Sequence, residues 1–267
     1  MAPKIITWAP LDIFSPAPIH HKPLAIIILN QELKLPLYLY HQLWLNSTFV
    51  IAADGGANRL YDLNKAHSTT LSTNAIIGDL DSLLPSVRSF WEDRGIPIMH
   101  DSDQYSTDFT KAVNYIRASP SRKDIDIVVL GGLGGRVDQG LSVLHHLYLF
   151  QDSVTYEDGR MYLLSSEAVT FVLKKGKHGI KAKERWEGIG SGEGKGEVGL
   201  GKHVGILPLK GESVISTQGL EWDVKDWKTV FGGLVSTSNH VKEETVKVET
   251  DEDVLFTIDL NFAGGGD

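Results

Sequence analysis

The sequence predicts an α/β protein, an open and mostly parallel α/β sheet domain followed by an all-β sandwich. Two observations carry that expectation. Between residues 24 and 150, short runs rich in Ile and Val alternate with longer segments of helical spacing, the pattern of an open parallel sheet. Beyond about residue 151 the helical spacing stops and short β-prone runs are separated by turns, the pattern of a sandwich.

Taken in order, residues 1–23 contain Pro3, Pro10, Pro16, Pro18 and Pro23 and no continuous apolar stretch behind a basic start. They read as a loosely ordered leader and not as a signal peptide. Residues 24–29, 49–53, 74–78, 96–99 and 125–130 are nearly continuous apolar runs, suited to strands buried on both faces. Residues 36–45, 57–64, 85–94, 107–118 and 137–150 have helical spacing. Thr107 followed by Asp108 is a good helix start, a capping hydroxyl before an early acid. The α/β domain is therefore expected over 24–157. The β domain is expected over 158–267, built from runs at 162–164, 169–173, 203–209, 212–217, 245–249 and 254–258, with the boundary near Asp158-Gly159-Arg160. Residues 174–202 are crowded with Gly, Lys and Glu and predict a flexible surface insertion. Their glycines do not form a phosphate loop. Ile189 stands five positions before Gly194, Lys195 is followed by Gly196, and no strand precedes them.

Composition narrows the function classes. The 267 residues are 42 % hydrophobic and 22 % charged, the balance of a globular chain. With 26 basic against 34 acidic residues the net charge is −8, which argues against nucleic acid as a partner. A nucleotide remains compatible, since metal ions held on carboxylates can neutralise its phosphates. There is no cysteine, so disulfides, thiolate zinc sites and Cys nucleophiles are excluded. No apolar run reaches the length of a membrane-spanning helix, and the expected location is the cytoplasm.

The chemistry lies in four acid-bearing turns of the α/β region. Asp54 opens Asp54-Gly55-Gly56-Ala57-Asn58-Arg59. Asp79 and Asp81 flank Leu80 in Gly78-Asp79-Leu80-Asp81-Ser82. Asp101, Asp103 and Asp108 follow the fourth strand run, and Asp138 lies in Gly134-Gly135-Arg136-Val137-Asp138-Gln139. In a parallel sheet these turns emerge at one edge and their carboxylates converge. Converging like charges raise one another's pKa unless a cation neutralises them. Hard oxygen ligands of this kind suit Mg²⁺, which shares its remaining positions with water and substrate phosphates. Taken singly, each Asp is as readily a helix cap or turn residue. Arg136 can either pair with a carboxylate or reach a phosphate. The glycines before it do not spell Gly-x-Gly-x-x-Gly, because the third position from Gly132 and Gly134 is Val137.

In this order, these turns resemble the thiamine pyrophosphokinase family. Asp103-Gln104 with Thr107-Asp108-Phe109-Thr110-Lys111 completes the first half. Gly205-Ile206-Leu207-Pro208-Leu209, Thr217-Gln218-Gly219-Leu220-Glu221-Trp222 and Gly233-Leu234-Val235-Ser236-Thr237-Ser238-Asn239 resemble that family's β domain. The resemblance implies transfer of the diphosphoryl group of ATP to the hydroxyl of thiamine, giving thiamine diphosphate and AMP. It implies Mg²⁺ on Asp79, Asp81 and Asp108. Asp54, Gln104, Arg136 and Asp138 would line the ATP and transfer site with help from Lys111, and Trp222, Ser236 and Asn239 would hold thiamine. It also implies a homodimer whose thiamine site combines the α/β domain of one subunit with the β domain of the other. An aromatic face such as Trp222 suits a cationic ligand, although without the resemblance Trp222 reads as a sandwich-core residue. Asp54 and Asp108 are the candidates to take the hydroxyl proton. Two other readings stay open on residues alone: a Mg²⁺- or Mn²⁺-dependent glycosyl- or nucleotidyltransferase using Asp79-Leu80-Asp81, and a non-catalytic nucleotide sensor.

Overall fold

The structure, a computed structural model, describes residues 5–15, 22–188 and 196–262. In chain order its elements are β1 (Ile5–Trp8), a 3-10 turn (Pro10–Phe14), β2 (Leu24–Ile28), α1 (Leu37–Asn46), β3 (Ser47–Ala53), α2 (Gly56–His67), β4 (Ala75–Gly78), α3 (Pro85–Glu92), β5 (Ile98–His100), α4 (Asp108–Arg117), β6 (Asp126–Leu130), α5 (Val137–Phe150) and β7 (Met161–Leu164). Then follow β8 (Ala168–Leu173), β9 (Gly176–Lys181), β10 (Arg185–Glu187), β11 (Glu197–Leu207), β12 (Ser213–Gln218), β13 (Trp227–Thr229), β14 (Ser236–His240), β15 (Thr245–Thr250) and β16 (Val254–Phe262). These divide into two compact units, an α/β unit of residues 22–151 and 158–166 and a β unit of residues 5–15, 152–157 and 167–262. Among the described residues no helix is long and apolar enough to cross a membrane.

In the α/β unit the strand order is β7-β6-β2-β3-β4-β5, and every neighbouring pair is parallel. Ile26 sits in register with Val50 on one side and Val128 on the other. Ile26, Ile27, Ile28, Ile51, Ile76 and Val128 are fully buried, which is why these runs are apolar without alternation. The chain moves outward from β2 to β5 and then crosses back through α4 to place β6 on the other side of β2. The carboxyl ends of β2 and β6 therefore flank a reversal of strand order, where ligands bind in such sheets. Helix α2 starts hard against β2. A Cβ on Gly56 would lie 2.0 Å from the Ile28 carbonyl oxygen, so only glycine permits this approach.

The β unit contains a five-stranded sheet in the order β1-β9-β15-β12-β13 and a sheet in the order β10-β11-β16-β8, with β14 also paired to β11. Its core is built around Trp8, stacked on Phe171 at 4.3 Å between ring centroids and meeting Tyr156 edge-on at 4.8 Å. The Trp8 indole N–H finds a buried acceptor, donating to His178 Nδ1 at 3.1 Å, as a buried tryptophan requires.

Three expectations are corrected here. Residues 5–14 are not a loosely ordered leader. β1 pairs in parallel with β9, and Trp8, Leu11, Ile13 and Phe14 are buried. Pro10 does not prevent order because it stands at the start of the 3-10 turn, where a missing N–H costs nothing. Residues 174–202 are not a flexible insertion either. They contain β9, β10 and the beginning of β11. In β9, His178, Gly179 and Ile180 are buried, while Lys177 pairs with Glu249 at 2.9 Å. The part of that stretch at 189–195 lies outside the described residues. Lastly, β7 pairs in parallel with β6 and belongs to the α/β unit, so the boundary expected near residue 158 is crossed more than once.

Candidate active site

Strand ends in the α/β unit place its acids. Asp54 follows β3 in a left-handed conformation (φ 44°), unusual for a residue with a Cβ. Its own N–H is anchored on the Ile77 carbonyl at 2.9 Å. Asp79 follows β4, and Asp108 is the first residue of α4, whose Thr107 cap accepts the Thr110 N–H at 3.1 Å. Each of Asp54, Asp79 and Asp108 brings a carboxylate oxygen to within 4.8 Å of the others. Gly78 makes this crowding possible. A Cβ there would stand 2.7 Å from Asp54 Cβ and 2.9 Å from Asp108 Oδ1.

The electrostatics are those of three converging carboxylates that one lysine only partly offsets. Burial pushes the Asp54 carboxyl up, with the Asp108 charge adding to it against the Ser82 N–H, which donates to Asp54 Oδ2 at 3.1 Å. Asp108 is raised by burial and by the Asp79 charge, opposed by Lys111. The buried Lys111 ammonium lies 3.3 Å from Asp108 Oδ1, which also accepts the Asp79 N–H at 3.3 Å. Asp54 Oδ1 is buried and has no hydrogen-bond partner. A carboxylate oxygen in that state is costly unless a cation meets it.

Of the other residues expected at this site, Asp81 donates its N–H to Asp79 Oδ1 at 3.3 Å. Asp81 is exposed, accepts the Ser82 hydroxyl at 2.9 Å and does not join the cluster. Leu80, at φ 64°, turns the backbone between the two acids. Of the three acids expected to ligate a metal, Asp79 and Asp108 lie in the converging cluster, whose third member is Asp54. Gln104 is exposed in the turn before α4. Arg136 and Asp138 are exposed and paired with each other through two bonds, at 3.0 and 2.5 Å. They stand at the start of α5, after Gly134 and Gly135 at φ 113° and 73°. Two asparagines escaped the sequence reading. Asn58 donates to the Ser82 carbonyl at 2.8 Å and accepts the Leu84 N–H at 3.1 Å, tying α2 to the acidic turn. Asn30, after β2, accepts from Arg59 Nε at 2.9 Å. A Cβ on Gly55 would lie 2.3 Å from the Asn30 amide nitrogen. The only sequence signal for Asn58 was its place beside a glycine-rich strand end, and Asn30 had only its place after an apolar run.

In the β unit, Trp222 is 58 % exposed and so is not a core residue. Its ring lies 5.1 Å from that of His240. Asn239 is buried and committed to the backbone. Its oxygen accepts the N–H of Trp222 at 3.1 Å and of His240 at 2.9 Å, and its amide donates to the Trp222 carbonyl at 2.9 Å. It clasps the turn that displays the indole. Ser236 is half-buried at the start of β14, and Phe231 and Leu234 nearby in sequence are exposed.

Comparison with known proteins agrees across both units. Residues 40–156 match the family of the thiamin pyrophosphokinase catalytic domain, and residues 193–255 match its vitamin B1 binding domain. The chain is 35 % identical over 257 residues to Thiamine pyrophosphokinase 1 of Arabidopsis thaliana, covering 90 % of this chain and 87 % of that protein. Among solved structures, yeast thiamin pyrophosphokinase superposes with a TM-score of 0.82 at 25 % identity, covering 97 % of this chain and 93 % of that one. The Candida albicans enzyme gives 0.78 at 27 % identity over 98 % and 95 %.

Proposed function

The chain belongs to the thiamin pyrophosphokinase family, and from that premise we propose that its acidic triad holds Mg²⁺ and the phosphates of ATP while the diphosphoryl group passes to thiamine. The observation that carries the metal assignment is the buried, unpartnered Oδ1 of Asp54 beside oxygens of Asp79 and Asp108. Three hard oxygen donors fit Mg²⁺ and leave room for phosphate and water. When bound, the ion would supply positive charge against the triad and the transferring phosphates.

What the chain's own residues do follows from their places. The thiamine hydroxyl oxygen attacks the β-phosphorus of ATP and gives its proton to the carboxylate of Asp54 or Asp108, the bond from that phosphorus to the α,β-bridging oxygen breaks, and AMP leaves with the bonding electrons. Protein catalysis of such transfer is mostly positioning and electrostatics. Lys111 sets the orientation of Asp108. Arg136, freed from Asp138, would turn its guanidinium to phosphate, an exchange made easy by the exposure of both partners. Gln104 lies in the turn that leads to Asp108, and Asp81 would add a carboxylate beside Asp79, on whose Oδ1 its N–H rests. Trp222 offers an aromatic face to the cationic thiamine with Ser236 nearby on β14, and Asn239 acts by fixing the Trp222 turn. The test is product analysis: AMP and thiamine diphosphate should appear together, and only when ATP, thiamine and a divalent ion are all present. ATP cleaved to ADP, or AMP released without thiamine, would refute it. An acceptor sugar should not substitute for thiamine.

Trp222→Ala is expected to weaken thiamine binding by ~1–2 kcal/mol, about tenfold in affinity, and to leave ATP binding unchanged. Calorimetry with each ligand alone, beside a thermal melt, checks this. Equal weakening of both ligands would mean the two units do not divide them. The proposal extends to a homodimer in the cytoplasm. It is supported by the exposed Val137, Leu141 and Leu149 of α5, and sedimentation of the full chain tests the dimer.

A further inference from the structure

His146 has no part in the chemistry above, yet it is bound from three sides. It lies on α5, 3 % exposed, with its ring stacked on Phe109 at 4.9 Å and 20°. Its Nδ1 is 2.5 Å from the Ser142 carbonyl oxygen, which can only accept, so Nδ1 carries the proton and Nε2 is the bare acceptor. Nε2 in turn lies 2.7 Å from Thr107 Oγ1 and 3.0 Å from Thr110 Oγ1. Burial holds the imidazole below its ordinary pKa, which keeps this tautomer neutral.

The consequence concerns Thr107. Its hydroxyl oxygen already accepts the Thr110 N–H as the cap of α4. With its hydrogen directed at His146 Nε2, or at Thr110 Oγ1 3.1 Å away when Thr110 is the donor to Nε2, that hydroxyl has partners for both its lone pair and its proton, and the His146–Thr107–Thr110 network locks its rotor. The residue that follows is Asp108. A phenyl ring would fill the same space against Phe109 and Phe150 without burying polar atoms, so what the imidazole adds is this lock on the first turn of α4. We propose that His146 is a positioning residue that fixes the Thr107 cap, and through it holds the Asp108 carboxylate against Asp54 and Asp79. Partners that orient a ligating carboxylate from behind commonly govern metal affinity.

This inference rests on the reading of Asp108 as a metal ligand, and the experiment separates the two. Mn²⁺ binding is followed by the loss of its free-ion paramagnetic resonance signal. The enzyme is free of nucleotide, so that no triphosphate takes up the ion in place of the protein. Wild-type protein should bind the ion and Asp108→Asn should not, and failure of that pair overturns the metal reading itself. Given that pair, His146→Phe is expected to weaken Mn²⁺ about tenfold, with an unchanged thermal midpoint and unchanged thiamine affinity. Thr107→Val should show at least the same loss, and adding His146→Phe to it should cost nothing further. Thr107→Ser should bind as wild type does. A folded His146→Phe with wild-type Mn²⁺ affinity overturns the proposal. Should that variant not fold, Thr107→Val removes the same bond from the other side, and wild-type affinity there overturns it equally.

Discussion

Asp54→Asn is expected to lower turnover by about a thousandfold and, in the absence of divalent ions, to make the protein more stable. The amide is isosteric and can still accept the Ser82 N–H, but it cannot present a second anionic oxygen to the cluster. The stability gain follows from the raised carboxyls. Asp54 and Asp108 both bind their protons more tightly when folded than the ordinary value of 3.8. Between that value and the raised ones the folded state holds protons that the unfolded state releases, so stability falls as pH rises. Their contribution is fully present below 3.8 and is lost once the pH has passed the raised values. Asp253 works in the opposite sense, since the Lys174 ammonium at 2.8 Å outweighs burial and holds its carboxyl low. The difference between wild-type and Asp54→Asn melts, taken across pH in chelator, isolates the triad from that trend. Mg²⁺ with ATP should raise the wild-type midpoint and hardly move the variant's. Near wild-type turnover, or a variant less stable than wild type in chelator at neutral pH, would remove Asp54 from the metal site.

A second large effect is expected from the stretch that composition makes look dispensable. Replacing residues 176–181 with a Gly/Ser linker should unfold the β unit. β9 pairs with β1 from Ile5 to Trp8 and with β15 from Thr245 to Thr250. Its loss breaks two hydrogen-bond ladders and removes Ile180 from the core. It also orphans the Trp8 indole N–H, a penalty of about 1–3 kcal/mol alone. Together these should exceed much of the about 5–15 kcal/mol by which a domain is stable. Far-ultraviolet circular dichroism and limited proteolysis would show the loss, and thiamine binding should vanish with it. A linker variant with a wild-type melt and wild-type thiamine affinity would show that β9 is peripheral.

The acids were legible because each ends a run of unmistakable periodicity. Asp54, Asp79 and Asp108 follow from where apolar β3 and β4 stop and where α4 is capped. Which acids converge was not legible. Asp-x-Asp spacing suggests that Asp79 and Asp81 act as a pair; they are linked by the Asp81 N–H on Asp79 Oδ1, and the third converging carboxylate comes from Asp54, itself a left-handed residue. Such conformations depend on tertiary support that no local pattern displays. β1 and β9 were illegible for a related reason. One has four residues beside prolines and the other reads Gly-Lys-His-Gly-Ile-Lys. β1 is a strand because β9 is there, and β9 because β1 and β15 flank it. His146 gave no signal at all, since its role is a contact with a residue 39 positions away, and Asn239, named through the resemblance as a thiamine residue, gave no sign of its clasp on a turn 17 positions away.

The pairing of Ile5 with Lys177 also dictates a sequence of events during synthesis. Every strand of the α/β sheet lies between residues 24 and 164, so that sheet can close while the rest is still being made. β1 emerges before any of it and must remain unpaired until β9 leaves the ribosome, and β9 itself is flanked only when β15 follows. For that whole interval Trp8 and Phe14 are without their core. Closing so long a loop is the slow kind of folding event, and an exposed strand edge waiting for its partner is the kind that strays into aggregates. Chaperone dependence in this protein should therefore trace to residues 5–14 and not to the catalytic unit.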